Sequence, residues 1–200
     1  MATHRRTLQA IGLLAIFTVC DASMSGQVGE LKRIRPESPI LRTVIAAALE
    51  RSATFRGLVG RIEHSDVIVH LTCEDWTSMQ LLGRTLVTSA GPDARYLRVQ
   101  ILCRQHLQLL VGIVGHELQH VVEIASAPNV VDDDSFRRLF IRIGYPGFLS
   151  ARREEFETTA ALEAGARVRQ EYLQGPGPRP LPADRPTLAD RATTVDRKSH

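Results

Sequence analysis

The residues with the clearest chemical potential form the string His116-Glu117-Leu118-Gln119-His120. Residues four apart lie on one face of a helix, about 6 Å apart along its axis, so two imidazoles at this spacing can bind one metal ion. Glu117 is rotated from His116 by about 100° and would lie beside the ion without binding it. Two nitrogen ligands and a neighbouring carboxylate are what metal-assisted hydrolysis requires, because the carboxylate can take a proton from a metal-activated water.

The segment that carries this string is predicted to be a buried helix over residues 105–126. Apolar residues cover most of its circumference, and Pro128 stops it. Burying two imidazoles and a carboxylate among such residues costs several kcal/mol unless a partner is present. We therefore favour a zinc ion over two separately hydrogen-bonded core histidines.

With this string the chain resembles the zincin metallopeptidases, which carry H-E-x-x-H on an active-site helix beside a small sheet. The resemblance covers chiefly residues 66–173. It implies zinc bound by His116 and His120, with Glu117 as general base. The metzincin branch needs a histidine six residues after His120, where Ser126 stands, so the expected branch is the gluzincins, which take a glutamate from a later helix.

The third ligand is expected on a last helix predicted over residues 150–173. Glu157 begins a Glu-x-x-Ala-Ala string that is similar to the gluzincin element, and small residues on its side would let this helix pack closely. Glu157 is thus the expected third ligand. Glu154, one turn earlier, is the reserve, whereas Glu155 is rotated away.

Two alternatives bear on this third ligand. Glu157 could instead belong to a solvated helix face with arginine partners. Ala161 stands where gluzincins often have an aspartate, so the orientation of the ligand histidines must come from elsewhere.

Glu123 and Tyr145 are further candidates near the predicted site. Glu123 lies three residues after His120 on the same stripe of the helix, and we expect it to accept a hydrogen bond rather than to bind metal. Tyr145, in a Gly-Tyr-Pro-Gly loop, could donate to a developing oxyanion, although a loop anchor is the simpler interpretation. His64, His70 and His106 are scattered along the chain.

The remaining pattern predicts an α+β domain. A helix is expected over residues 39–55, and three β-favouring runs follow at residues 67–71, 82–88 and 96–103. The expected fold is a small antiparallel three-stranded sheet packed with the buried H-E-x-x-H helix and further helices, in a zincin-like arrangement. A short helix after the acidic triplet 132–134 should end at Gly144.

The two ends of the chain differ from this middle. Residues 1–22 have a positive start and a short apolar run and are interpreted as a signal peptide, which implies a secreted or periplasmic protein. Lipidation of Cys20 is the alternative, but Val19 stands where lipoproteins usually have Gly or Ala. The domain is expected over residues 23–173, followed by a disordered Pro-rich tail over residues 174–200. Cys73 and Cys103 could form a disulfide or remain free thiols.

The amino-acid composition limits the classes of partner that we expect the protein to bind. The 200 residues are 44% hydrophobic and 24% charged, which fits one folded domain. A net charge of +3 with 5% aromatic residues gives no nucleic-acid signature, and no other apolar run is long enough for a stable membrane span. The predicted function is a zinc-dependent peptidase acting on a peptide or protein substrate. The alternatives are a structural zinc without turnover and an envelope-anchored binding module.

Overall fold

The computed structural model describes residues 31–76, 81–146 and 156–175. The predicted signal peptide with Cys20, the predicted tail beyond Gly175, and Ser150, Glu154 and Glu155 lie outside the described residues. The described chain is mixed α/β. Its elements, in chain order, are β1 (Ile34–Pro36), α1 (Pro39–Arg51), α2 (Ala53–Glu63), β2 (Val67–Glu74), β3 (Gly83–Ala90), β4 (Arg95–Leu102), α3 (Leu107–Ala125), α4 (Asp133–Ile143), β5 (Tyr145–Pro146), β6 (Phe156–Glu157) and α5 (Thr159–Gln174).

The main sheet has four strands rather than the predicted three, and it is mixed rather than antiparallel. The strand order is β1-β2-β4-β3, in which β2 pairs in parallel with both β1 and β4, and only β3 runs antiparallel to its neighbour. The sequence predicted β2, β3 and β4, but it missed β1 and could not show that β4 inserts between β2 and β3. Within the described residues β3 is an edge strand that pairs on one side only.

The first predicted helix is two helices. Ser52 has extended backbone dihedrals, and its hydroxyl accepts a hydrogen bond from the backbone N–H of Phe55, so it caps α2. The prediction of one helix over residues 39–55 is therefore wrong. Glu171 of α5 holds this break, because its carboxylate accepts from the Ser52 hydroxyl at 2.6 Å and from the backbone N–H of Thr54 at 2.9 Å.

Helix α3 lies at the centre of the fold, as its apolar circumference predicts. One side packs against the sheet and the other against α5. Its fully buried side chains include Leu118 and Ile124, and the strands supply Val69, Leu97 and Val99 to the same core. The H-E-x-x-H string is thus carried by the most buried helix of the molecule's described part.

The carboxyl end of α3 is fixed by a buried arginine. The guanidinium of Arg95 donates to the carbonyl oxygens of Ile124, Ala127 and Val130 at 2.8–3.2 Å. It also makes two 2.7 Å bonds to the carboxylate of Asp66. Because these carbonyls belong to the last turn of α3 and the residues that follow it, a positive charge here is favourable, and it anchors the end of α3 to the starts of β2 and β4.

Cys73 and Cys103 form a disulfide with their Cα atoms 5.3 Å apart. It joins β2 to the residue that follows β4, which are neighbours in the sheet. Of the two alternatives left by the sequence, the pairing is confirmed. None of the helices within the described ranges combines the length and the apolarity needed to cross a membrane.

Candidate metal centre

The two histidines of the string lie on the face of α3 that meets α5 and β6. His116 and His120 are one turn apart, with ring centroids separated by 4.9 Å and ring planes nearly perpendicular. Phe140 of α4 packs on the edge of the His120 ring at 5.3 Å, which restricts its rotation. The His116 side chain keeps 21% of its surface exposed, and that of His120 keeps 8%.

Glu157 lies beside these histidines, but not on a helix. It belongs to the short strand β6, which pairs with β5, and the following helix begins at Thr159 with Thr158 as its N-cap. The prediction that Glu157 lies in a helix is thus wrong, because the Thr158 hydroxyl accepts the N–H of Ala161 and the helix begins only there. The small residues of α5 do allow close packing, as predicted, because a Cβ on Gly165 would lie only 2.9 Å from the Cβ of His116.

The three side chains bring their ligand atoms together. Oε1 of Glu157 lies 3.4 Å from Nε2 of His116 and 3.5 Å from Nε2 of His120. Both distances exceed the usual 2.7–3.2 Å of a nitrogen-to-oxygen hydrogen bond. One ligand atom from each residue lies within 4.8 Å of the others, and this group could hold a metal ion.

Glu123 accepts from His120, as expected from the sequence. Its Oε2 lies 2.9 Å from Nδ1 of His120, and its Oε1 accepts from the Thr158 hydroxyl at 2.8 Å and from the amide of Gln119 at 3.4 Å. Glu123 therefore contacts the side of the His120 ring that faces away from Glu157.

Glu117 points to β3 rather than away from the protein. Its Oε2 accepts a 2.8 Å hydrogen bond from the hydroxyl of Thr85, and both residues are buried. Gly83, two residues earlier on β3, leaves the space that the carboxylate fills, since a Cβ there would lie 2.5 Å from Oε1 of Glu117. Sequence reasoning did not find Thr85 or Gly83, because nothing local marks a strand residue as the partner of a helix carboxylate.

The charges of this cluster influence one another. Burial raises the pKa of Glu117 above its ordinary value. Burial also opposes ionisation of Glu157, but the nearby imidazoles and the N–H of Thr158 lower the pKa of its carboxyl. Burial alone would lower the pKa of His120, yet the carboxylates of Glu123 and Glu157 outweigh it and raise that pKa to about 10. A cluster with three carboxylates around two imidazoles thus attracts positive charge, either protons or a metal ion.

Of the other candidate residues, Tyr145 lies near the cluster, whereas His70 and His64 have partners elsewhere. Tyr145 of β5 pairs directly opposite Glu157 in the two-stranded ladder, so its side chain shares a face with the candidate ligand. Its role as a donor to an oxyanion stays a prediction. His70 pairs with Glu37 at 3.0 Å, and Nδ1 of His64 contacts the carbonyl of Gly60, so neither belongs to the cluster.

Comparison with known proteins gives no relative from which to transfer a role. No family model matches the chain, and no curated protein or solved structure matches it. The function must therefore be inferred from the side chains of this cluster.

Proposed function

We propose that this protein is a zinc-dependent peptidase in which His116, His120 and Glu157 hold the ion. The observation that carries the proposal is the separation of the donor atoms. Ligands bound at about 2.0–2.1 Å to a tetrahedral zinc lie roughly 3.3–3.4 Å from one another. The distances from Oε1 of Glu157 to the two Nε2 atoms, 3.4 and 3.5 Å, fit that spacing and are too long for good hydrogen bonds.

The exposure of the cluster supports a catalytic rather than a closed site. The side chains of His116 and Glu157 keep 21% and 23% of their surface exposed, so solvent reaches one side of the ligand group. Only three candidate ligands converge here within the described residues. Three protein ligands with one open position are typical of catalytic zinc sites, whereas structural sites usually supply four.

Different residues of the chain would have different roles in hydrolysis. When bound, zinc supplies Lewis acidity and makes water acidic enough to attack near neutral pH. Glu117 takes a proton from the attacking water and passes it to the leaving amine. The hydroxyl of Thr85 holds one oxygen of that carboxylate, which fixes its direction, and burial raises its pKa and so makes it a better base.

The substrate class follows from the position of β3. This strand carries Gly83 and Thr85 beside Glu117, and its outer edge has no strand partner among the described residues. An extended peptide could add to that edge through backbone hydrogen bonds and pass next to Glu117. We infer that the substrate is an extended segment of a peptide or protein.

Two features of the described chain support a zincin-like site as part of this proposal. A buried H-E-x-x-H helix lies beside an edge strand, and a glutamate from a later segment reaches the two histidines. Ala161 still departs from the gluzincin pattern, but Glu123 takes the place of the missing aspartate by accepting from Nδ1 of His120. The disulfide supports the proposal that the protein works outside the cytoplasm, since disulfides persist mainly in oxidising compartments.

The decisive experiment combines zinc content with cleavage. Purified protein should bind close to one zinc per chain and cleave a library of quenched unstructured peptides. Glu117→Gln should keep the zinc and lose activity by about 10²-fold or more, the scale of a lost general base. Glu163→Gln, on the exposed side of α5, is the matched control and should behave as wild type.

Two outcomes would replace this proposal. Zinc retained without cleavage of any peptide would favour a structural metal. Absence of zinc binding would leave the cluster as a hydrogen-bonded charge network and would favour a binding module.

A further inference from the structure

Thr158 contacts both halves of the candidate metal centre. Its backbone N–H donates to Oε1 of Glu157 at 2.9 Å, and its hydroxyl donates to Oε1 of Glu123 at 2.8 Å. The other oxygen of Glu123 lies 2.9 Å from Nδ1 of His120. Thr158 is 2% exposed, so water does not compete for these bonds.

The donor and the acceptor of each hydrogen bond between Thr158, Glu123 and His120 follow from counting protons. The oxygen of the Thr158 hydroxyl accepts the backbone N–H of Ala161 at 3.1 Å, so its single proton is the one given to Glu123. The Glu123 carboxylate therefore acts as acceptor at both ends. His120 must then donate from Nδ1. When a metal ion replaces the other ring proton, the free lone pair is therefore that of Nε2, the atom that faces Glu157.

We propose that Thr158 is a positioning residue that sets the His120 ring and the Glu157 carboxylate together for metal binding. The inference rests on the proposed function, because it requires that the cluster binds an ion. Capping alone does not account for the arrangement. An N-cap needs only the bond from Ala161, whereas Thr158 also donates once to Glu123 and once to Glu157.

The position of Glu157 explains why a positioning residue is needed at this site. The ligand lies on a two-residue strand rather than within a helix, so no regular helical hydrogen bonding fixes it. The next residue along the chain supplies that order by starting α5 and by binding the ligand carboxylate. One residue thus links the two parts of the site: its backbone N–H binds the third ligand, and its hydroxyl holds the Glu123 carboxylate that orients His120.

Thr158→Val and Thr158→Ser provide the test. Valine keeps the shape but removes the hydroxyl, while serine keeps both hydroxyl bonds. We expect zinc affinity, measured by competition with a chromophoric chelator, to fall by about tenfold or more in Thr158→Val, the scale found for outer partners of metal ligands. Thr158→Ser should restore it to near the wild-type value.

A capping control separates positioning from stability. Ser38 caps α1 by accepting the N–H of Leu41 and contacts Cys73, but it makes none of the hydrogen bonds of the cluster. Ser38→Ala should destabilise the fold as the loss of a cap does, but should leave zinc affinity unchanged. The visible spectrum of Co²⁺ bound in place of zinc should change in Thr158→Val and not in Ser38→Ala.

The outcomes distinguish this inference from the proposed function. Wild-type protein that binds no zinc overturns both. Wild-type protein that binds zinc while Thr158→Val keeps the same affinity and Co²⁺ spectrum overturns the positioning role alone. If Thr158→Val does not fold, NMR of the zinc-loaded wild-type protein decides. A slowly exchanging proton on Nδ1 of His120 supports the hydrogen bonds from Thr158 through Glu123 to His120. Zinc bound to Nδ1 overturns the positioning role.

Discussion

Gly165 of α5 faces His116 so closely that a Cβ at position 165 would lie 2.9 Å from the Cβ of His116 and 3.0 Å from the carbonyl oxygen of Gly112. Cβ atoms essentially never approach other atoms so closely, so a larger residue requires the two helices to separate. The absence of a side chain at position 165 therefore sets the distance between α3 and α5, and with it the reach of Glu157 to the histidines.

Gly165→Ala should weaken zinc binding as well as the fold. Overpacking typically costs about 1–3 kcal/mol, which exceeds the gain of roughly 1 kcal/mol that alanine brings to a helix. The measurements are urea unfolding and zinc titration. Gly57→Ala in α2 is the control, because a Cβ there meets nothing within 4 Å, and it should stabilise the fold slightly. Unchanged zinc affinity in Gly165→Ala would show that the helix spacing does not set the site.

Gly83→Ala should separate catalysis from metal binding. The new methyl group would displace the Glu117 carboxylate, whose Oε1 would otherwise lie 2.5 Å away, while the three ligands stay in place. We expect near-normal zinc content and peptide cleavage reduced by at least about tenfold, part of the contribution of a general base. Thr85→Val should act in the same direction, since it removes the hydrogen bond to Oε2. Loss of zinc from Gly83→Ala would contradict the separate roles.

Glu157→Gln should lose metal rather than only activity. The change removes the anionic ligand whose oxygen lies 3.4 and 3.5 Å from the two Nε2 atoms. Because the ligands come from separate segments, zinc binding stabilises the fold, and the melting temperature of the zinc-loaded protein should fall with affinity. Atomic absorption after dialysis and thermal melts with and without zinc check this. Full zinc retention would mean that the third ligand lies elsewhere.

Acid should release the carboxyl end of α3. The hydrogen bonds and charge of Arg95 hold the pKa of Asp66 below its ordinary value. A depressed pKa contributes stability above the unfolded value of about 3.9, and that stability is lost as the pH falls through the lower folded value. Because the Asp66 side chain is 46% exposed, solvent screens the pair, and Asp66→Asn should therefore cost only about 1 kcal/mol at neutral pH.

The same difference should vanish in acid. The measurement is urea unfolding from pH 7 down to pH 2, with Asp93→Asn, an exposed residue between β3 and β4, as control. A difference between Asp66→Asn and wild type that persists undiminished at the lowest pH would disprove the electrostatic account.

Local signals predicted the helices near the site well. Helix α3 spans Leu107–Ala125 against a prediction of residues 105–126, because its apolar circumference and Pro128 act within the segment. Helix α4 begins where the acidic triplet indicated, and Asp132 forms a capping box with Ser135. The 3.6-residue period placed the two histidines and Glu123 on one stripe of the helix. Glu123 was expected to be an acceptor because a ligand so near His120 would strain tetrahedral geometry, and it does accept from His120.

Features that depend on distant partners were not predictable in this way. The break at Ser52 is held by Glu171, far along the chain, while the apolar period runs through the break undisturbed. The strand β1 has only three residues and ends in proline, so it gives no alternating pattern. The prediction placed Glu157 within a last helix over residues 150–173, because the helical pattern extends before Thr158 and nothing local marks Thr158 as the cap of α5.

Because β4 lies between β2 and β3, the sheet contains one strand pair that is close in sequence, β3–β4, and one that is distant in sequence, β2–β4. The β3–β4 hairpin turns over residues 91–94, whereas the parallel β2–β4 pair forms only after the chain has passed through β3. Local contacts form earlier than distant ones during folding. When the chain refolds with Cys73 and Cys103 reduced, so that no disulfide ties β2 to β4, pulse-labelled hydrogen exchange should therefore protect the hairpin amides before those of β2. Gly83 and Thr85 would then already be held in a hairpin when α3 docks, so Glu117 enters a prepared position on the nascent sheet.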